Sequence, residues 1–523
     1  MKPRVCIFAA ETLLHWSSYY VRAFRQCCDV RVVGPAIVPE QHDYPDWPAV
    51  AHYTVPNDIH TTSDDAVTRL ELLPEGWDPH LVVIIQSGDV VLRSMARVGC
   101  PTAYLSIDTW HEAREFQHGH RYDFVFLAQK ALIKYMRRMG CCRVYCLPLA
   151  CDPERHFATP DEENHYDLAF VGRIHYITNR QRAERLNLLL SRYRLGAYFG
   201  VGTDEMAVVY GRSTLVFNSS IACDVNMRVF EVLSTGRPLV TNRDAAANGL
   251  LELFEEGVHL ICYDDDDLSS QVDRYLADPE AARAIGLAGQ QEVHEKHTYV
   301  HRVTQIFDTL RAHNIDVGTK SYPRVRAGQD IKDLIPYGSL RLLDIGLGLG
   351  ASRVAMAHRG VNYLAGVAPD SETMRRREKS YDEIWCGDAM RPPTGDFDTV
   401  LWTLASRFGS PVVSTLAYSR EWLVEGGRLL LFMDDAEIQE VPGGPDIASL
   451  TTWFMELGCQ LLTWYLPQGG NPQHLVIVSP VTTHANALNV DLYGEFPVNG
   501  VDREPWKVSK ADPESDSPDA ANP

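Results

Sequence analysis

Short apolar runs rich in Val, Ile, Leu and aromatic residues recur along the chain, alternating with stretches whose apolar positions return every three or four residues. The first pattern is that of a strand buried on both faces, the second that of a helix covering it. RVCIFAA, DVRVVGP, HLVVIIQSG, CPTAYLSID, YDFVFLA and RVYCLPLA form one set of strands, with HWSSYYVRAFRQC as the helix between the first two. A second set begins near Tyr166 with DLAFVGR, LGAYFG, STLVFNSS, RPLVTN and HLICY, and a long helical run from Leu268 to His313 closes it. A third opens near Ser339 with RLLDIGLGLG and continues through YLAGVA, YDEIWCGD, FDTVLWT, GGRLLLFMD, QLLTWYL and HLVIVSP. Strand and helix in alternation predict an α/β fold of three Rossmann-like units with parallel sheets.

Length agrees, since 523 residues are too many for one core. The pattern divides them into 1–150, 151–315, a linker at 316–335, a unit at 336–482 and a tail at 483–523. Pro, Asp and Ser dominate the end of that tail, so it is expected to be mostly disordered. Lys plus Arg number 49 against 69 Asp plus Glu, a net charge of −20, which argues against general nucleic-acid binding. An apolar run follows the N-terminal charges, but Glu11, His15 and Trp16 interrupt it too early for a signal peptide. No apolar stretch has the length of a membrane span. The cysteines sit mostly in strand-like runs, as expected of reduced thiols in a cytoplasmic protein. Cys141, Cys142, Cys146 and Cys151 lack the spacing of a zinc site.

Two α/β units in tandem make a cleft between the loops at their strand C-termini, so chemistry is sought there. The most informative run is NSSIACDVNMRVFEVLSTGRPLVTN, residues 218–242. Asp224 or Asn226 can cap its helix, Val229, Val232 and Leu233 suit the buried face, and Gly236 suits the stop. Arg228 and Glu231 stand three apart on one side. A cation near a helix N-terminus and a carboxylate one turn later can hold a diphosphate and a ribose diol. A capped surface helix with an internal salt bridge is the plainer alternative.

DVNMRVFEVLSTGRPLVTN, with the segment from Leu253 to Arg302, resembles the C-terminal half of CgeB-like (spore maturation protein CgeB-type) glycosyltransferases, a group-1 family of GT-B fold. Asn226, Arg228, Phe230, Glu231, Gly236, Pro238, His297, Thr298, Tyr299 and Arg302 carry the likeness. Upstream, CLPLACDPERHF, DLAFVGR and YLSIDTWHE extend it to about residues 1–312. The resemblance implies a nucleotide-diphosphate sugar as donor and a hydroxyl acceptor on a glycan, protein or small molecule. Transfer would be metal-independent and retaining. It further implies that Gly172 lets backbone approach the donor phosphates, with Arg173 and Arg228 neutralising them. Glu231 would accept hydrogen bonds from ribose or sugar hydroxyls. Asn218 and Asn226 line the same loops, and Asp108 or His111 from the first unit would position or deprotonate the acceptor hydroxyl.

Two patterns are weighed as decoys. Asp264 to Asp267 contains a D-x-D, but its place between strand and helix makes capping sufficient. His294, His297 and His301 have i, i+3, i+7 spacing and share a helical face, yet HEKH is one residue short of the zinc motif.

In the third unit LLDIGLGLGAS puts Asp344, Gly346, Gly348 and Gly350 between a strand and a helix, the setting of a nucleoside-binding turn. With CGDAM (Asp388), FDTVLWT (Asp398) and LVEGGRLLLF it resembles class I S-adenosylmethionine-dependent methyltransferases over about residues 335–480. That resemblance implies S-adenosylmethionine as cofactor and methylation of the product. One departure stands out: where that family has a ribose-gripping acid, this chain has Ala368, with Asp370 two residues later. Either Asp370 substitutes for it or the domain keeps the fold without the cofactor. The competing readings are a methyltransferase with a degenerate glycosyltransferase-like module, and a non-enzymatic spore or envelope assembly protein.

Overall fold

The computed structural model describes residues 2–9, 15–35, 57–85, 92–107, 109, 116, 118–159, 165–172, 180–221, 223–326, 335–347, 353–386, 395–402, 422–434, 447–456, 459–465 and 473–480. The tail at 483–523, expected to be disordered, lies outside them.

The first unit is a parallel sheet of seven strands, β1 (Arg4–Phe8), β2 (Asp29–Gly34), β3 (Ile59–His60), β4 (Leu81–Ile85), β5 (Thr102–Ser106), β6 (Phe124–Leu127) and β7 (Val144–Cys146). Their spatial order is β3-β2-β1-β4-β5-β6-β7. The continuous apolar runs predicted strands covered on both faces, and every residue of β4 is buried. β3, only two residues long, has no such run and was not anticipated by the pattern.

The second unit holds β8 (Tyr166–Val171), β9 (Leu195–Tyr198), β10 (Ser213–Phe217), β11 (Leu239–Asn242) and β12 (Ile261–Tyr263), all parallel, in the order β12-β11-β10-β8-β9. The order reverses between β8 and β10. In a doubly wound sheet the crevice beyond that reversal is where ligands bind.

The helical run that closes this unit is three helices, Leu268–Ala277, Pro279–Lys296 and Tyr299–Ala312. His297 breaks the second from the third, and Thr298 with His301 forms a capping box that starts the last one. His294, His297 and His301 therefore do not share one helical face. His294 meets Ser234, His297 meets Arg302 and His301 serves the cap.

The last helix carries the chain back to the first unit. Tyr299 stacks on Tyr19 and meets Tyr20 edge-on, at centroid distances of 5.2 and 4.9 Å. The buried Arg302 donates to the carbonyls of Pro148 and Leu149 on the segment joining the two units. One continuous apolar core consequently runs through both.

The third unit contains β13 (Arg341–Ile345), β14 (Tyr363–Ala368), β15 (Glu383–Cys386), β16 (Phe397–Trp402), β17 (Leu423–Asp434), β18 (Cys459–Tyr465) and β19 (Gln473–Pro480). The order is β15-β14-β13-β16-β17-β19-β18, with β19 antiparallel to both β17 and β18. It sits against the first unit rather than apart from it. Asp123 accepts the backbone N–H of Tyr337 at 2.8 Å, and Val325 of the linker leading into the unit pairs with Val98 in an antiparallel bridge.

Among the described residues no helix is long and apolar enough to cross a membrane.

Candidate functional site

The loops at the reversal between β8 and β10 converge on one buried side chain. Asn218, directly after β10, is fully buried and held by its own amide, which donates to Thr241 Oγ1 at 2.9 Å. Its Oδ1 accepts from Arg228 Nη1 at 2.8 Å and from Asn226 Nδ2 at 3.1 Å. Three of the sequence-predicted residues are thus joined at one oxygen.

Arg228 lies in the first turn of the helix Met227–Ser234. Its Nε donates to the carbonyl of Val171, the last residue of β8, at 2.7 Å, and its guanidinium lies over the Phe170 ring at 4.6 Å. The internal Arg228–Glu231 salt bridge of the plainer alternative is not how this arginine is held. Gly172 follows β8 with φ of 152°, and a Cβ there would meet Arg228 Nη2 at 1.9 Å. Asn226 occupies the N-cap position but makes no capping bond, and its Oδ1 is buried without a hydrogen-bond partner. Gly236, with φ of 74°, follows the helix where a left-handed residue ends it.

Glu231, one turn along, is mostly buried, with 14% of its side chain exposed. Burial pushes its carboxyl up to about 7, against the pull of Arg228. His156 Nε2 lies 3.9 Å from Glu231 Oε1 and 3.1 Å from the Tyr19 hydroxyl, so helix His15–Cys27 of the first unit reaches the same neighbourhood.

Two further cations were not singled out from the sequence. Arg182 and Arg185 come from helix Arg180–Arg192, and both are buried. Arg182 donates through Nε and Nη2 to the carbonyl of Ser219, at 2.9 and 2.6 Å, and lies on Phe170 at 5.9 Å. Its burial, with Arg228 nearby, pulls its pKa down to about 9. Arg185 donates to Ser219 Oγ and pairs with Asp265 at 2.7 Å. The signal that could have found them is the repeat of arginines in NRQRAERL directly after the β8 loop, which reads equally as a solvated helix face. The D-x-D segment is accounted for locally: Asp264 and Asp265 pair with Arg243 and Arg185, and Asp267 accepts the Asp264 N–H.

Asp108, His111 and Arg173 lie outside the described residues. Their neighbours show where that loop starts: Gln129 Nε2 donates to the carbonyl of Ile107 and, at 3.3 Å, to Asp224 Oδ1 in the loop leading to Arg228. The first unit's loop after β5 thereby meets the second unit's loop after β10.

Residues 167–308 match the Glyco_trans_1_2 family, described as glycosyl transferase-like. This segment is similar to glycosyl transferase-like domains. It contains Phe170, Gly172, Arg182, Arg185, Asn218, Asn226, Arg228 and Glu231, while Tyr19, Gln129 and His156 lie before it. No curated protein matches the chain. Sucrose-phosphate synthase from Thermosynechococcus elongatus is similar in structure, at 13% identity over 60% of this chain and 100% of its own, with a TM-score of 0.42. Anabaena Alr3699/HepE, solved in complex with UDP-glucose, shows 12% identity over 59% of this chain and 100% of its own, with a TM-score of 0.42. A TehB-like SAM-dependent methyltransferase from Corynebacterium glutamicum has 17% identity over 34% of this chain and 96% of its own, with a TM-score of 0.23.

The described residues at the ends of β13 and β14 fit an adenosyl cofactor poorly. Asp344, at the end of β13, is fully buried and accepts the Tyr381 hydroxyl at 2.8 Å. Gly346 and Leu347 follow with φ of 93° and 55°, and the buried Leu347 side chain packs toward Gly366 of β14. Ala368 is fully buried at the end of β14. Asp370 is the N-cap of helix Ser371–Arg377, taking the Thr373 N–H at 2.7 Å and the Thr373 hydroxyl at 2.9 Å. Gly348, Gly350 and Asp388 lie outside the described residues.

Proposed function

We propose that the first two units form a GT-B glycosyltransferase, of the CgeB-like type, that uses a nucleotide-diphosphate sugar. The observation that carries this reading is the Arg228 guanidinium, held between Val171 and Asn218 at the sheet reversal with Nη2 lying against the backbone of Gly172. As the acceptor hydroxyl attacks the anomeric carbon, the sugar–phosphate bond breaks and negative charge collects on the departing diphosphate. A preorganised cation in a partly dry site stabilises that charge without reorganising. Arg228 is this cation, which leaves no electrostatic requirement for a divalent metal. The acceptor's proton passes to a base on the first unit's side, with Asp108 or His111 in that role. The sugar bond re-forms on the face it left, giving retention.

Glu231, ionised, accepts hydrogen bonds from the ribose diol, and the unsatisfied Asn226 Oδ1 offers a further acceptor in the same loops. Support comes from the glycosyl transferase-like segment, which spans every one of these residues except those of the first unit. The test is a panel of nucleotide-diphosphate sugars assayed for protein-dependent nucleotide release, with Glu231→Ala as control. Release from one donor, lost in the control, supports the proposal; no release and no binding from any donor overturns it. The anomeric configuration of the product, read by NMR, tests retention.

A further inference from the structure

The third unit has the strand order of a nucleoside-binding domain, yet the described side chains at the ends of β13 and β14 are committed to other partners. We infer that the third unit holds no adenosyl cofactor and serves instead as a fixed wall of the first unit. A ribose diol needs an acceptor at the end of β14, and the residue there is the buried Ala368, while Asp370 is turned to its own helix. Asp344 is out of solvent and bound by Tyr381, whose ring lies with Leu347 against Gly366, where a Cβ would meet them at 2.9 and 2.7 Å.

The opposite side of the unit is built for contact. Asp123 of the first unit accepts Tyr337 N–H with Oδ1 and the N–H and hydroxyl of Thr102 with Oδ2. Arg143 donates to the Asp123 carbonyl at 2.7 Å and reaches Ser339 Oγ at 3.5 Å. Arg428 of β17 donates to the carbonyl of His120, and the Tyr337 hydroxyl to that of Gly99 at 2.7 Å. Backbone approach is close enough that glycine is required. A Cβ on Gly338 would meet Phe124 Cζ at 2.5 Å, and one on Gly426 would meet the Cys141 carbonyl carbon at 2.7 Å, both with φ near 80°. A tethered module needs none of this. Close packing with buried polar links makes the two units one body.

This role is independent of sugar transfer by the first two units. The full-length protein is titrated calorimetrically with S-adenosylmethionine and with S-adenosylhomocysteine. The expected result is no saturable heat at millimolar ligand; saturable one-to-one binding of either overturns the inference. In parallel, hydrogen exchange is compared between the wild type and Tyr337→Ala. Amides of Phe124–Leu127 and Val144–Cys146 are expected to exchange at least ten-fold faster in the variant, and unchanged exchange overturns the wall role. If Tyr337→Ala does not fold, Tyr337→Phe removes only the bond to Gly99, and faster exchange is then expected around Val98–Cys100, with no change counting against the wall role.

Discussion

Gly172 and Arg228 share a space that only one of them can fill: a Cβ on Gly172 would lie 1.9 Å from Arg228 Nη2. Gly172→Ala therefore displaces the guanidinium from Val171 and Asn218 without touching the core. The far end of a flexible side chain can yield, but φ of 152° strains any residue with a Cβ, so the expected stability loss is about 1–3 kcal/mol. Catalytic efficiency is expected to fall at least ten-fold, and steady-state kinetics beside a thermal melt separate the two effects.

Arg228→Lys is not a conservative change here. A lysine can replace one of the bonds to Val171 and Asn218 but cannot reproduce the planar fork that makes both. A loss of about 10²–10³-fold in kcat is expected for Arg228→Ala, the scale seen when one preorganised donor is removed. Arg228→Lys should recover only a small part of it.

Asn218→Ala tests the node itself. It removes the acceptor shared by Arg228 and Asn226 and the donor to Thr241 in a fully buried position. Leaving such groups unpaired is expected to destabilise the fold by about 1–3 kcal/mol. Denaturant unfolding reads this directly, and a change below the error of the fit would contradict the geometry.

Glu231 gives a pH signature. Its carboxyl, ordinarily near 4.5, is pushed up to about 7 by burial. Because the folded value is the higher one, the stabilising effect is complete below 4.5 and lost as pH rises through 7. The difference amounts to roughly 3 kcal/mol before the side chain's partial exposure reduces it. Glu231→Gln should flatten stability between pH 5 and 7. Donor affinity in the wild type should move the other way, tightening as the carboxylate forms.

His297 behaves oppositely. Burial and the neighbouring Arg302 hold it down to about 4 from an ordinary 6.5, so the neutral ring is the one the fold accepts. Its contribution is complete above 6.5 and is lost as pH falls through 4, roughly 3 kcal/mol in total. Acid unfolding followed by circular dichroism should be less steep in His297→Asn.

Much of this is legible in the sequence. The strands declare themselves because a parallel strand covered by helices on both sides has no polar face to interrupt its run, as in LVVII or DLAFV. The direction of β19 could not be read, since Val476–Val478 looks the same whether its partner runs parallel or antiparallel. Arg228, Glu231 and Asn218 were found because they lie close in sequence, on one loop and helix. Arg182 and Arg185 were passed over: on a basic helix, burial against Phe170 and Tyr263 is decided by tertiary packing alone. The acidic total of the chain likewise hid where its cations gather. Three arginines surround Asn218 and Ser219 in a molecule of net charge −20.

The central claim is that this arginine cluster receives a nucleotide diphosphate. Equilibrium binding of nucleoside diphosphates to the full-length protein and to Arg228→Ala tests it most directly. The account predicts saturable one-to-one binding of at least one of them, weakened ten-fold or more by the substitution. Equal affinity in the two proteins, or no binding of any nucleotide to the wild type, would contradict it.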